Sequence, residues 1–133
     1  MRVLFLCTGN SCRSQMAEGW LRHRAGAQVE ALSAGTKPVG VNPTAIAVMR
    51  EVGIDISNHQ SKHISDFAAL RLDYLITVCD HAKETCPVAP NAARVLHWSF
   101  EDPAGQPIQQ FRRVRDEIGA KLREFVTALP GKP

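Results

Sequence analysis

A single doubly wound α/β domain, with a four-stranded parallel sheet and helices on both faces, is the fold this sequence predicts. Three observations predict it. Strand-length apolar runs alternate with segments whose apolar residues recur every three or four positions, the pattern of strand–helix–strand crossovers. The first run, "RVLFLC", is continuously apolar after its Arg, as in a strand buried on both faces. The 133 residues hold no repeat, linker or low-complexity tract, and that length suits one domain, 1–133, around one core.

The elements follow in order. Arg2–Cys7 is the first strand. The next segment is a helix with Met16, Ala17, Trp20, Leu21 and Ala25 on its apolar side and Glu18, Arg22 and His23 elsewhere. Residues 29–34 form a weaker strand that Gly35 ends. "TKPVGVNP" is a loop whose Asn42 caps a helix with Pro43 at its first position; Ile46, Met49 and Val52 line that helix and Gly53 stops it. Ser65 begins a short helical turn through Leu70. "DYLITVC", rich in β-formers, is the third strand and "ARVLHW" the fourth. The last helix starts near Ile108, with Phe111, Val114, Ile118, Leu122, Phe125 and Leu129 spaced by three and four.

Composition excludes several classes. A net charge of +3 suits an anionic ligand but leaves no basic stripe for nucleic acid. No apolar run approaches the roughly 20 residues of a membrane span. "MRVLFLC" carries one basic residue and a strand-length apolar stretch, so it does not read as a secretory leader, and a cytoplasmic protein is expected. Structural disulfides are rare there, so the four cysteines read as reactive or metal-bound.

In doubly wound folds ligands bind at the carboxyl ends of the strands. Two strands here end on a cysteine, Cys7 and Cys79. After Cys7 come the small, turn-prone Thr8, Gly9, Asn10 and Ser11, then Cys12, with Arg13 and Ser14 leading into the helix. Such a loop at a helix N-terminus aims successive backbone N–H groups at one point, and the helix dipole adds positive potential. It is an oxyanion cradle, to which Arg13 adds a planar fork of donors. The same field favours thiolate over thiol at Cys7, and the Ser14 hydroxyl can donate to that sulfur. The spacing Cys7-x5-Arg13 thus describes a nucleophilic thiolate facing a bound tetrahedral anion. A buried strand-end cysteine is otherwise simply a small apolar residue. Cys12, in the same loop, reads as a spectator, or alternatively as an oxidative partner of Cys7.

In "VCDHAKETCPVAP", Cys79 and Cys86 are seven residues apart. In a continuous helix their Cα atoms would lie roughly 10 Å apart, whereas a disulfide wants them within about 7 Å. The two therefore bond only if the segment unwinds; otherwise they are unrelated thiols. Pro87 and Pro90 prevent helical continuation, which favours rearrangement. In "SFEDPAG", Asp102 precedes Pro103 in a turn after the fourth strand, where a carboxylic acid could protonate a leaving oxygen. His97, beside Trp98, reads as packing.

"CTGNSCRSQMAEGW", "EVGIDISNHQSKHI", "VCDHAKETCP", "HWSFEDPAG" and "RRVRDEIGAKLREF" together resemble the thioredoxin-coupled arsenate reductases, built on the low-molecular-weight tyrosine phosphatase fold. The resemblance covers nearly the whole chain in order. The cysteine pair at 79 and 86 separates the reductases from plain phosphatases. So does Ala-Gly-Gln after Asp102-Pro103, where a phosphatase's substrate rim has a pair of tyrosines. The resemblance implies that arsenate, with phosphate or sulfate as competing oxyanions, binds the cradle from Thr8 to Ser14 against Arg13. Cys7 attacks arsenic, Asp102 helps an oxygen leave as water, Cys79 attacks the Cys7 sulfur, and Cys86 then attacks Cys79. The resulting Cys79–Cys86 disulfide is the one reduced thioredoxin removes. No tightly bound cofactor is implied, and a monomer is expected.

Some members hold a potassium ion beneath the loop with side chains matching Asn10, Glu18 and Ser33, plus a Thr and an Asp where this chain has Gln60 and Lys62. The expectation here is that the Lys62 ammonium takes the ion's place beside Glu18. Three rival readings remain: a phosphatase acting through Cys7, Arg13 and Asp102, a reductase drawing on another small thiol, and a zinc or redox-sensing module. The cysteines fall as Cys-x4-Cys and Cys-x6-Cys, which fits a structural zinc site poorly.

Overall fold

The computed structural model describes residues 1–78 and 91–129, and the backbone alone at Asn91. The segment from Cys79 to Pro90, with both Cys79 and Cys86, lies outside the described residues. Four strands form one parallel sheet: β1 (Arg2–Cys7), β2 (Glu30–Gly35), β3 (Arg71–Thr77) and β4 (Asn91–His97), in the order β2-β1-β3-β4. Three α-helices are described: α1 (Arg13–Ala25), α2 (Pro43–Glu51) and α3 (Ile108–Ala128). The α/β architecture read from the sequence is therefore present.

Strand β1 sits in the middle of the sheet because it is apolar on every side. Successive side chains alternate faces, yet Val3, Leu4, Phe5 and Leu6 are all fully buried, so both faces of β1 are covered. The register Cys7↔Gly35 brings the carboxyl end of β2 beside the cysteine. A Cβ at Gly35 would sit 2.5 Å from the Thr8 carbonyl oxygen, so only glycine lets β2 pass this close to the loop after β1.

The helices start and stop where their local chemistry directs. Asn42 Oδ1 accepts from the Thr44 and Ala45 N–H groups, satisfying two of the orphan donors of α2, with Pro43 at its first position. Gly53, at φ 82°, ends it. The buried stripe of α2 is Ala45, Val48 and Met49, whereas Ile46 and Val52 are half-buried. The buried stripe is thus rotated by about 50° from the predicted one, and the helix packs against both α1 and α3. Met49 reaches Gly19 of α1, and the Val48 carbonyl accepts from Arg115 of α3. The expected turn at 65–70 is a 3-10 turn, Ile64–Phe67, whose His63 Nδ1 accepts from the Ser65 N–H.

Helix α3 buries Phe111, Val114, Ile118, Leu122 and Phe125 along one stripe, as its spacing predicts. Phe125 meets Tyr74 edge-on at 5.0 Å and Trp98 at 5.5 Å, which fastens α3 to the sheet. Trp20 lies on Gly119, where a Cβ would come within 2.7 Å of the indole, so α1 and α3 cross closely. Helix α1 corrects the amphipathic reading. Its polar residues Ser14, Gln15 and Glu18 are buried as fully as Met16 and Leu21, because that side faces the loops at the carboxyl edge of the sheet.

Candidate active site

Cys7 ends β1, and the chain then turns through Thr8–Cys12 into α1. This loop is shaped from outside. The Cys7, Thr8, Gly9 and Ser11 carbonyls accept from the N–H groups of Thr36, Lys37, Val39 and Asn42 respectively, at 2.8–3.2 Å. In a trans peptide the C=O of one residue and the N–H of the next point in opposite directions. Pinning the carbonyls outward therefore turns the following N–H groups inward, as the Asn10 N–H confirms by donating to Cys7 Sγ at 3.2 Å. Helix α1 begins without a capping side chain, so its first-turn N–H groups are available to an anion. The loop from Thr8 to Ser14 thus wraps around Cys7, with the Asn10 N–H turned to its sulfur. The outer loop that shapes it carries no sequence motif beyond its turn residues and was missed.

The polarity of the network around Cys7 follows from groups that can play only one role. The Lys62 backbone N–H donates to Asn10 Oδ1 at 2.8 Å, so that atom is an acceptor and Nδ2 faces the other way. Asn10 Nδ2 then donates to Ser14 Oγ at 2.9 Å, which leaves the Ser14 hydroxyl hydrogen for Cys7 Sγ, 2.8 Å away. The sulfur, almost fully buried, accepts from Ser14 and from the Asn10 N–H, an environment suited to a thiolate. Asn10 adopts φ 48°, a left-handed conformation that costs a non-glycine residue about 1–2 kcal/mol. Gln15, Lys62 and Ser61 hold that peptide in place, Ser61 Oγ donating to the Gly9 and Asn10 carbonyls.

Arg13 and Asp102 meet at the mouth. After β4 the chain runs on beside the end of β3, Trp98 N–H donating to the Thr77 carbonyl and Phe100 N–H to the Val78 carbonyl, and Asp102 follows beside Arg13. Arg13 donates to the Phe100 carbonyl at 3.1 Å and lies 3.6 Å from Asp102 Oδ2, while Asp102 Oδ1 accepts from the Ala104 N–H. The guanidinium is mostly buried and the carboxylate half-exposed. Cys12, also buried, carries a free thiol, and burial pushes its pKa up to about 11. That environment disfavours its thiolate form. Of the predicted site residues, Cys7, Cys12, Arg13, Ser14 and Asp102 come together; Cys79 and Cys86 lie outside the described residues, β3 ending at Thr77.

The expected pairing of Lys62 with Glu18 is not formed. The Lys62 ammonium donates to the Gln60 carbonyl at 3.0 Å. Glu18 Oε2 instead accepts from Arg22 at 2.6 Å and Oε1 from Ser33 at 2.5 Å. Arg22 lies one turn from Glu18 on the same helix and reaches it without crossing the loop, which is why it wins. Both carboxylate oxygens of Glu18 and Asn10 Oδ1 thus accept hydrogen bonds from side chains and backbone of this chain. Among the described residues no three His, Cys, Asp or Glu side chains gather as a metal site, and no helix is long and apolar enough to cross a membrane.

A parallel sheet whose first strand ends in a cysteine beneath an inward-facing loop, with an arginine opening the next helix, defines a class of oxyanion-binding enzymes. Residues 2–132 match the low molecular weight phosphotyrosine protein phosphatase family, and the chain belongs to it. Within it, the chain is 51% identical over 123 residues to arsenate reductase 2 of Staphylococcus saprophyticus subsp. saprophyticus, covering 92% of this chain and 94% of that protein. Among solved structures, it is similar to an arsenate reductase in the phosphate binding state (TM-score 0.82, 37% identity, 95% and 96% of the two chains). It is also similar to a thioredoxin-dependent arsenate reductase of Corynebacterium glutamicum (TM-score 0.78, 33% identity, 96% of this chain and 60% of that one). A low molecular weight protein tyrosine phosphatase from T. tengcongensis shares the fold with TM-score 0.84 at 29% identity, over 97% and 99% of the two chains.

Proposed function

We propose that this protein is an oxidoreductase that reduces arsenate to arsenite through a three-cysteine relay, with a thioredoxin-type dithiol as electron donor. The observation that carries the reading is the sulfur of Cys7 at the floor of the cradle, accepting from Ser14 and Asn10 with Arg13 at the mouth, in a chain about half identical to a protein named arsenate reductase.

The chemistry balances as follows. The Cys7 thiolate displaces one arsenate oxygen, a sulfur–arsenic bond forms, and the oxygen leaves as water with a proton that Asp102 delivers. The Cys79 thiolate attacks the Cys7 sulfur; the electron pair of the sulfur–arsenic bond stays on arsenic, which passes from the +5 to the +3 state and leaves as arsenite. Cys86 then attacks Cys79, giving a Cys79–Cys86 disulfide and freeing Cys7. A reduced dithiol closes the cycle by thiol–disulfide exchange. The roles of Cys79 and Cys86 rest on the resemblance and on their place just after β3. We further propose that the protein acts as a monomeric, single-domain enzyme in the cytoplasm.

The test is NADPH oxidation coupled through thioredoxin and its reductase, with and without arsenate. Arsenate-dependent oxidation supports the reading. A phosphatase reading through Cys7, Arg13 and Asp102 has the support of the family the chain belongs to at the level of fold. Hydrolysis of a phosphate ester without arsenate-dependent oxidation would select it.

A further inference from the structure

Behind the oxyanion loop, away from the anion, a second set of fixed hydrogen bonds runs from Asn10 to the surface. Gln15, fully buried, donates through Nε2 to the Asn10 carbonyl, to Asn10 Oδ1 and to the Gln60 carbonyl. Those three atoms only accept, so Gln15 Oε1 faces the other way and must itself accept. Its partner is His59 Nδ1 at 2.9 Å. At the far side of the ring Arg22, which can only donate, lies 2.8 Å from His59 Nε2. His59 must therefore carry its proton on Nδ1 and present a lone pair at Nε2. The same Arg22 holds Glu18 at 2.6 Å.

We propose that His59 is a positioning residue for the nucleophile: as the neutral Nδ1–H tautomer it fastens Gln15, and through Gln15 the left-handed Asn10 that faces Cys7, to the Arg22–Glu18 pair. The proposal rests on Cys7 being the nucleophile. Its physical basis is that Asn10 is in a conformation it does not favour, and its two contacts to Cys7 and Ser14 exist only while that conformation is held. Gln15 holds it by two contacts, to the Asn10 carbonyl and Oδ1, and Gln15 in turn has its amide orientation set by His59. The ring's surroundings agree with the neutral form. Burial first, and then the Arg22 and Lys62 cations, hold its pKa below the ordinary value against the opposing pull of Glu18 and Asp55. His59 and Gln15 lie behind the cradle, so the effect of His59 reaches the reaction through Asn10 and Ser14.

The experiment measures iodoacetamide alkylation of Cys7 at pH 7.5, resolved by peptide mass spectrometry, together with the inhibition constant of inorganic phosphate. Wild type is compared with His59→Ala, His59→Gln and Cys7→Ser. A glutamine amide can offer an N–H to Gln15 and a carbonyl to Arg22. The expected results are alkylation slowed about tenfold and phosphate bound about tenfold more weakly in His59→Ala, the loss of one hydrogen bond to an ordered polar group, and recovery to within about threefold in His59→Gln. A merely structural histidine would lower the melting temperature without changing either readout. His59→Ala alkylating at the wild-type rate, or His59→Gln failing to recover while folded, would overturn the proposal. If His59→Ala does not fold, His59→Gln against His59→Leu, which fills the space without hydrogen bonds, decides the same point. Cys7→Ser separates the two failures: arsenate turnover surviving in that variant removes the nucleophile itself, whereas its loss beside a normal His59→Ala removes only the positioning role.

Discussion

Ser14 Oγ lies 2.8 Å from Cys7 Sγ, and because Asn10 Nδ2 already donates to that oxygen, the hydroxyl hydrogen goes to the sulfur. A hydrogen bond to a charged acceptor is worth about 1.5–3 kcal/mol. Ser14→Ala is expected to lower kcat/KM for arsenate by roughly tenfold to a hundredfold and to slow Cys7 alkylation in parallel, with little change in melting temperature. Unequal losses in the two measurements would mean that Ser14 acts on the anion and not on the sulfur.

Arg13, mostly buried, is held at the mouth by the Phe100 carbonyl and Asp102. Lysine keeps the charge but loses the bidentate fork. Arg13→Lys should weaken phosphate inhibition about tenfold or more, measured against arsenate turnover. An unchanged inhibition constant would show that the guanidinium does not turn inward to meet the anion.

Cys12 differs from Cys7 by environment alone. Burial pushes its pKa up to about 11, so at pH 8 it remains a thiol. Limited alkylation at that pH should label Cys7 well before Cys12, and Cys12→Ala should keep kcat/KM within about threefold. Early adducts on Cys12 would contradict its role as a bystander.

Gly35 is where β2 touches the oxyanion loop. A methyl group there would sit 2.5 Å from the Thr8 carbonyl oxygen and 2.9 Å from the Asn10 nitrogen, both backbone atoms with little room to yield. Gly35→Ala is expected to destabilise the fold by about 1–3 kcal/mol, read from urea unfolding, and to impair phosphate binding as well. Stability lost without any change in binding would place the accommodation in β2 and not in the loop.

Strand β1, the cradle after it and the long α3 stripe were legible because each is announced locally, by an unbroken apolar run, small residues before a helix, or a three-four spacing. Asn42 and Pro43 likewise declare the start of α2 within two residues. The burial of Glu18 was not legible from periodicity, and only the resemblance set it beneath the loop with Asn10 and Ser33. Its neighbours in sequence place it on the polar side of α1, whereas Arg22 on the same helix and Ser33 and His59, far along the chain, close around it. The same holds for Lys62, whose backbone N–H, not its ammonium, serves Asn10. The carbonyl anchors at Thr36–Asn42 left no trace either, since backbone donors carry no residue signature. What the sequence could not place were contacts between segments; what it placed well were single segments.

The most direct measurement is a single turnover of the Cys86→Ser variant with excess arsenate, counting arsenite released and mapping disulfides by peptide mass spectrometry. The relay predicts one arsenite per protein, an enzyme trapped with a Cys7–Cys79 disulfide, and no further turnover on adding thioredoxin without a small thiol. Continued turnover with thioredoxin alone, or arsenite release without the Cys7–Cys79 bond, would contradict it.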